Sequence, residues 1–376
     1  MRMESVEAFI QTLMEDSTLR FPAWNIEKKR QGKEAGWDYI DGCMMYGFLR
    51  YYEKTKNEAV LNFCKEYVGD KISEDGSILK YEPEEKNLDN INAGKNLFTL
   101  YDLTGEEKFK KALDLLYSQI EIQPRTASGN FWHKDIYPNQ VWLDGLYMVM
   151  PFYAEYAKRY LDNKEEKYED IYKQFFFVED NIKDPVTGLY YHANDTSKEM
   201  FWCNKETGNS QHFWLRASGW FSMSMLDTLV IMEDKESANY KRLENMYKNY
   251  IESICKFQDE SGMWYQVVDQ VGREGNYLET SGSSILSYCL LKGVRLGILD
   301  KKYEEKGIKA FNGICNERLR EVDGRISLGG ICLVAGLGGK DNRDGSYEYY
   351  LSEPIVENDA KGTGPFLFAY TEMLYR

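Results

Sequence analysis

Gly145-Leu-Tyr-Met-Val-Met-Pro-Phe-Tyr-Ala-Glu-Tyr-Ala-Lys-Arg-Tyr-Leu161 carries apolar or aromatic side chains around almost its whole circumference when wound as a helix, the mark of an element buried on most sides. The segment before it reads differently. Glu106–Ile120 sets Phe109, Leu113, Leu116, Tyr117 and Ile120 on one stripe, with lysine and glutamate opposite, as a helix with one wet face does. The buried kind recurs, beginning near Gly42, Gly94, Gly145, Gly219, Gly282 and Gly364, and charged turns and amphipathic helices stand between. The sixth buried helix, Pro365–Tyr375, runs into the C-terminus without a partner, while Glu4–Met14 offers Val6, Phe9, Ile10 and Leu13 on one face. Pairing the two closes a ring. The expected fold is all-α, an (α/α)6 toroid of six inner and six outer helices.

Longer intervals between the later repeats hold turn-rich, strand-like pieces at Gly188–Ala193, Met263–Val268 and Tyr347–Leu351, expected as short β-hairpin insertions rimming one mouth. No Gly-, Ser- or Pro-rich linker interrupts the chain, so residues 1–376 are expected to form a single catalytic domain.

Of the 376 residues 43% are hydrophobic and 29% charged, which excludes a disordered chain, a collagen-like chain and a coiled-coil rod. No apolar run approaches the roughly eighteen residues of a membrane span, and acids near Met1 stand where a signal peptide would be basic and then apolar. A cytoplasmic location is expected. The net charge of −14 disfavours nucleic acid and anionic membrane as partners, although a local Arg or Lys can still receive an acidic small molecule. Seven scattered cysteines without a C-x-x-C pair suggest neither zinc nor a disulfide framework. The three histidines, His133, His192 and His212, lack metal-ligand spacing, and Gly329-Gly330 and Gly336 to Gly339 lack the frame of a phosphate loop. No metal or organic cofactor is expected.

Inner helices of such a ring run parallel, so the segments preceding them gather at one end. They include Trp37-Asp-Tyr-Ile-Asp41, Leu88-Asp-Asn-Ile-Asn92, Gln140-Val-Trp-Leu-Asp144, Phe213-Trp-Leu-Arg216, Asn276-Tyr-Leu-Glu-Thr280 and Val356-Glu-Asn-Asp359. Converging acids and rings suit a sugar, whose apolar faces stack on aromatics while its hydroxyls bond to carboxylates. Asp41, Asp89 and Asp144 could equally serve as helix N-caps, and Arg216 could be a rim ion pair. If Asp89 and Asp144 share a buried cleft, repulsion and desolvation should raise the pKa of one of them.

The run His133-Lys-Asp-Ile-Tyr-Pro-Asn-Gln-Val-Trp-Leu-Asp-Gly-Leu-Tyr-Met148 closely resembles the signature of the unsaturated rhamnogalacturonyl hydrolases, glycoside hydrolase family 105. Leu88–Gly94, Tyr191-His192, Trp214–Trp220 and Glu353–Asp359 support the resemblance in order along the chain; Val141 and the pair Ala217-Ser218 depart from it. The resemblance implies the (α/α)6 fold and, as substrate, a small oligosaccharide with a 4,5-unsaturated galacturonosyl residue at its non-reducing end. It further implies Asp144 as general acid/base, Asp89 as second carboxylate and Arg216 facing the uronate carboxylate. Tyr39, His133, Lys134, His192, Trp214 and Trp220 resemble pocket residues. Alternatives are an unsaturated glucuronyl hydrolase, a non-catalytic sugar-binding toroid and an endo-acting inverting glycosidase.

Overall fold

The computed structural model describes residues 3–322 and 324–376. In chain order the helices are α1 (Met3–Glu15), α2 (Ile26–Gln31), α3 (Tyr39–Thr55), α4 (Glu58–Gly69), α5 (Lys95–Thr104), α6 (Glu107–Ile122), α7 (Leu143–Tyr160), α8 (Lys164–Asn181), α9 (Leu215–Ile231), α10 (Ala238–Ile254), α11 (Thr280–Arg295), α12 (Glu304–Arg318), α13 (Tyr347–Ser352) and α14 (Ala360–Leu374). The inner ring is α3, α5, α7, α9, α11 and α14. Each packs on the next and α14 returns to α3, with a 3-10 run, Leu88–Gly94, making the contacts to α3 and α7 just ahead of α5. That ring is the (α/α)6 toroid expected of the repeat.

Burial separates the two layers as the sequence pattern requires. Every residue of α9 from Leu215 to Leu229 is buried. Its outer neighbour α10 buries only the stripe Tyr240, Leu243, Met246, Tyr247, Tyr250, Ile251 and Ile254, spaced three or four residues apart. The N-terminal helix does close the ring: Phe9 lies edge-on to Phe366 of α14 with centroids 6.4 Å apart, and Tyr370 donates to Glu7 at 3.2 Å. No helix among the described residues is long and apolar enough to cross a membrane.

The strands are short and antiparallel: β1 (Gln140–Trp142) with β2 (Ala193–Asp195), β3 (Trp264–Tyr265) with β4 (Leu278–Glu279), β5 (Leu319–Val322) with β6 (Arg325–Leu328), and β7 (Ile331–Cys332) with β8 (Ile355–Val356). Two expectations need correction. Gly188–Ala193 forms only a one-bridge hairpin, Tyr190 pairing antiparallel with Lys183 across a local turn, and its last residue enters β2, which pairs across the rim with β1 in the register Trp142↔Ala193. Tyr347–Leu351 is helical, because Ser346 caps α13 by accepting the Tyr349 N–H at 3.1 Å and overrides the strand-like aromatic run. A further hairpin, β5–β6, follows α12.

The inner helices meet closely at their N-terminal ends. A Cβ added at Gly42 would stand 2.6 Å from the Ala93 Cα, and one at Gly364 would stand 2.7 Å from the Cys43 carbonyl oxygen. Neither neighbour can swing aside, since both are backbone. Gly42→Ala is therefore expected to fold but to lose roughly 1–3 kcal/mol through overpacking. Chemical denaturation checks this, and an unchanged midpoint would contradict so close an approach.

Candidate active site

Asp89 lies in the 3-10 run, whose backbone is tied to the next insertion by Leu88 N–H donating to the His133 carbonyl at 3.1 Å. That tie delivers Lys134 to the carboxylate: its Nζ is 2.6 Å from Asp89 Oδ2, and His133 Nε2 is 3.6 Å from Oδ1. Burial alone would push the Asp89 pKa up, but the charges of Lys134 and then His133 outweigh it and hold the carboxyl below its ordinary value. The rise expected of one carboxylate is thus not at Asp89. Lys134 supplies the difference.

Asp144 is the second residue of α7, where Trp142 holds the cap position and no side chain caps the helix. Its Oδ2 lies 3.1 Å from His192 Nε2, close enough for electrostatic contact but not aligned as a hydrogen bond. His192 Nδ1 in turn meets the Tyr350 hydroxyl at 2.8 Å. Asp144 therefore faces an imidazole, not a Lys or Arg. The next residue is glycine because a Cβ at Gly145 would stand 2.9 Å from His133 Nδ1.

Capping is not the role of the three aspartates. Asp38, not Asp41, caps α3 by accepting the Asp41 N–H at 3.0 Å. Asp41 accepts from Trp24 Nε1 at 2.9 Å, and Asp89 gives its own N–H to Asn87 Oδ1 at 3.1 Å. Glu279 and Asp359 cap α11 and α14.

Rings join the two carboxylates into one wall. His133 stacks on Trp142 at 4.8 Å, Trp142 meets His192 edge-on at 5.2 Å, and His192 lies 4.8 Å from Trp214. The Arg216 guanidinium sits over Trp214 at 4.6 Å. Arg216 is buried, and its Nη atoms donate to the Cys332 and Leu333 carbonyls and to Ser281. No carboxylate among the described residues forms an ion pair with it. The rim ion pair considered for Arg216 is absent there.

The remaining two expected pocket residues stand differently. Tyr39, the first residue of α3, is pushed far up mainly by burial, then by the charge of Glu27, with Arg216 opposing and Asp89 adding; its phenol lies in the field of both site residues. Trp220 lies one helical turn beyond Arg216, and its ring stacks on Tyr147 at 4.7 Å and 5°. Like Trp214 it is buried, one turn deeper in α9.

Several neighbours escaped the sequence reading. Tyr350 belongs to the segment taken for a strand, and only its Ser346 cap signals the helix that carries it. Trp142 and Tyr137, stacked at 5.1 Å, stood inside the quoted run without a role. Arg343 donates to the Tyr137 hydroxyl at 3.0 Å. It also explains Gly336, where a Cβ would stand 2.6 Å from the guanidinium. Among the described residues no cluster of three or more His, Cys, Asp or Glu is placed to hold a metal ion.

The Glycosyl Hydrolase Family 88 model matches residues 10–376. A solved glycoside hydrolase from family 105 of C. acetobutylicum ATCC 824 is 45% identical, with 98% of each chain covered and a TM-score of 0.90. The chain belongs to this family 88/105 group of glycosyl hydrolases. Protein Atu3128 of Agrobacterium fabrum is 38% identical over 234 residues, 60% of this chain and 98% of that one. The unsaturated rhamnogalacturonyl hydrolase YesR of Bacillus subtilis is 28% identical over 309 residues, 80% of this chain and 81% of its own. This glycosyl hydrolase is thus a glycosidase, and the candidate site stands at the N-terminal ends of the inner helices.

One titration tests the geometry. Burial first, with Lys134 and His192 adding and Asp89 and Asp144 opposing, pushes His133 down to about 4 from 6.5. The unfolded chain therefore binds a proton that the folded hydrolase refuses, so this contribution to stability is complete above about pH 6.5 and falls away between there and about pH 4. Nitrogen-15 NMR should find the His133 ring neutral at pH 6. A midpoint near 6.5 would contradict its burial.

Proposed function

We propose that the hydrolase removes a 4,5-unsaturated galacturonosyl residue from rhamnogalacturonan-derived oligosaccharides, the unsaturated galacturonyl-rhamnose disaccharide being the simplest. The observation that carries this reading is the unlike setting of two neighbouring carboxylates: Asp89 holds an ammonium at 2.6 Å, whereas Asp144 faces only His192. Paired acids with contrasting environments divide the work of proton transfer. YesR, by its name an unsaturated rhamnogalacturonyl hydrolase, supports the same substrate class.

A 4,5-unsaturated uronide contains a vinyl ether, which is cleaved by hydration and not by direct attack at the glycosidic carbon. In this reading protonated Asp144 gives its proton to C4, and positive charge develops at C5 and the ring oxygen. Asp89, kept ionised by Lys134, stabilises that charge. Asp144, now a carboxylate oriented by His192 and Tyr350, takes a proton from the water that adds to C5. The resulting hemiketal opens to a C5 ketone and a C1 hemiacetal, and the hemiacetal expels the sugar. Proton uptake and release balance on one side chain.

Arg216 suits the uronate carboxylate, since a buried guanidinium without an acid partner can receive a planar anion through two parallel hydrogen bonds. Trp214 beneath it supports the guanidinium at 4.6 Å as part of the pocket wall, and Tyr39 lies within reach of the same charges.

Three substitutions test the roles. Asp144→Asn loses no cap and should melt within about 3 °C of the parent, yet turn over the disaccharide about 10²–10⁴-fold more slowly. Full activity would remove Asp144 as the acid/base. Arg216→Lys keeps the charge but not the fork, so kcat/KM should fall at least about tenfold, and near-normal kinetics would return Arg216 to a structural role. Lys134→Met releases the hold on Asp89, so the acid limb of the pH–rate profile should move to higher pH. An unmoved limb would show that Asp89 need not be ionised. Parallel assay of the unsaturated glucuronyl disaccharide decides the uronyl preference, and faster turnover of that substrate would overturn the galacturonyl reading.

A further inference from the structure

The later turns of α3, α7, α9 and α11, together with α5 from its first residue Lys95, line a cavity of about 430 Å³ toward the end of the ring away from Asp89 and Asp144. Six basic and four acidic side chains line it, a local reversal of sign in a chain of net charge −14. Most of these cations are already matched: Arg50 with Glu53 at 2.8 Å, Lys292 with Asp227 at 2.8 Å, Arg159 with Asp102 at 2.8 Å. Lys95 is not. It is 6% exposed, and its ammonium meets the Tyr147 carbonyl at 3.4 Å, the Tyr147 ring at 3.4 Å to the centroid and the Tyr46 ring at 5.6 Å, while no carboxylate among the described residues forms an ion pair with it. The Arg50 Nε is also buried without a hydrogen-bond partner.

A buried cation without a counter-ion is costly, and a cavity of this volume falls within the range of small-molecule sites. We propose that the cavity is a second binding site, taking a small anion of the carboxylate or phosphate class, with Lys95 as its buried ligand and Arg50 beside it. Burial first, against Cys43 and Asp227, pushes Lys95 down to about 7. An anion there would hold the proton. The site also touches the upper half of the ring, since one face of Tyr147 carries Lys95 and the other lies flat on Trp220.

Thermal melting at pH 6.0 with inorganic phosphate, against sodium chloride at equal ionic strength, tests the proposal. A ligand bound only by the folded state raises Tm with the logarithm of its concentration, so about 2–4 °C is expected between 1 and 50 mM. Galacturonate is the second arm. A shift with galacturonate alone assigns the carboxylate class, and a shift with phosphate alone assigns the phosphate class. Either shift should vanish in Lys95→Met, which removes an unmatched buried charge, and persist in Asp144→Asn. No shift beyond chloride with either anion, or an undiminished shift in Lys95→Met, would overturn the site. Should Lys95→Met fail to fold, parent crystals soaked in sodium arsenate decide: an anomalous peak beside Lys95 Nζ is expected, and its absence overturns the proposal.

Discussion

Close approach of six inner helices at one end is the constraint from which the rest follows. At that end stand glycines: Gly42 against Ala93, Gly94 against Phe152, Gly145 against His133, Gly219 against Ile285, Gly282 against Leu215 and Gly364 against Cys43. A side chain at any of them would meet a neighbour at or inside ordinary contact distance. Interiors pack densely and resist added volume, so these positions set how near the first helical turns come together. The acids and rings just before and within those turns then face one another.

Convergence alone would give a crowd of like charges. What makes it a site is that the surroundings of the two carboxylates differ. The backbone tie between Leu88 and His133 brings Lys134 onto Asp89, while the β1–β2 ladder sets His192 beside Asp144. Both ties join successive repeats. The insertions between helices thus do the electrostatic work, and the ring holds them in place.

The ring was legible in the sequence because burial on all sides and burial on one stripe leave different periodicities, as Gly145–Leu161 and Glu106–Ile120 show. Asp89, Asp144, His133, Lys134, His192, Trp214 and Arg216 could be singled out, and the structure gathers them on one wall. Their pairing could not be read. Tyr350 reaches His192 across 158 positions of chain, and no local pattern records a contact so distant. Tyr347–Leu351 misled because alternating rings resemble a half-buried strand, whereas a single serine cap decides for helix. Trp220, named through the family resemblance, stands one helical turn beyond Arg216 and stacks on Tyr147.

The central claim is that Asp144 delivers a proton to C4 of an unsaturated uronide. Turnover of the unsaturated galacturonyl-rhamnose disaccharide in deuterium oxide, quenched early and examined by NMR, tests it most directly. Hydration predicts one deuterium placed stereospecifically at C4, with loss of the conjugated absorbance equal to rhamnose released. Rhamnose released while the double bond survives and C4 stays unlabelled would contradict the account.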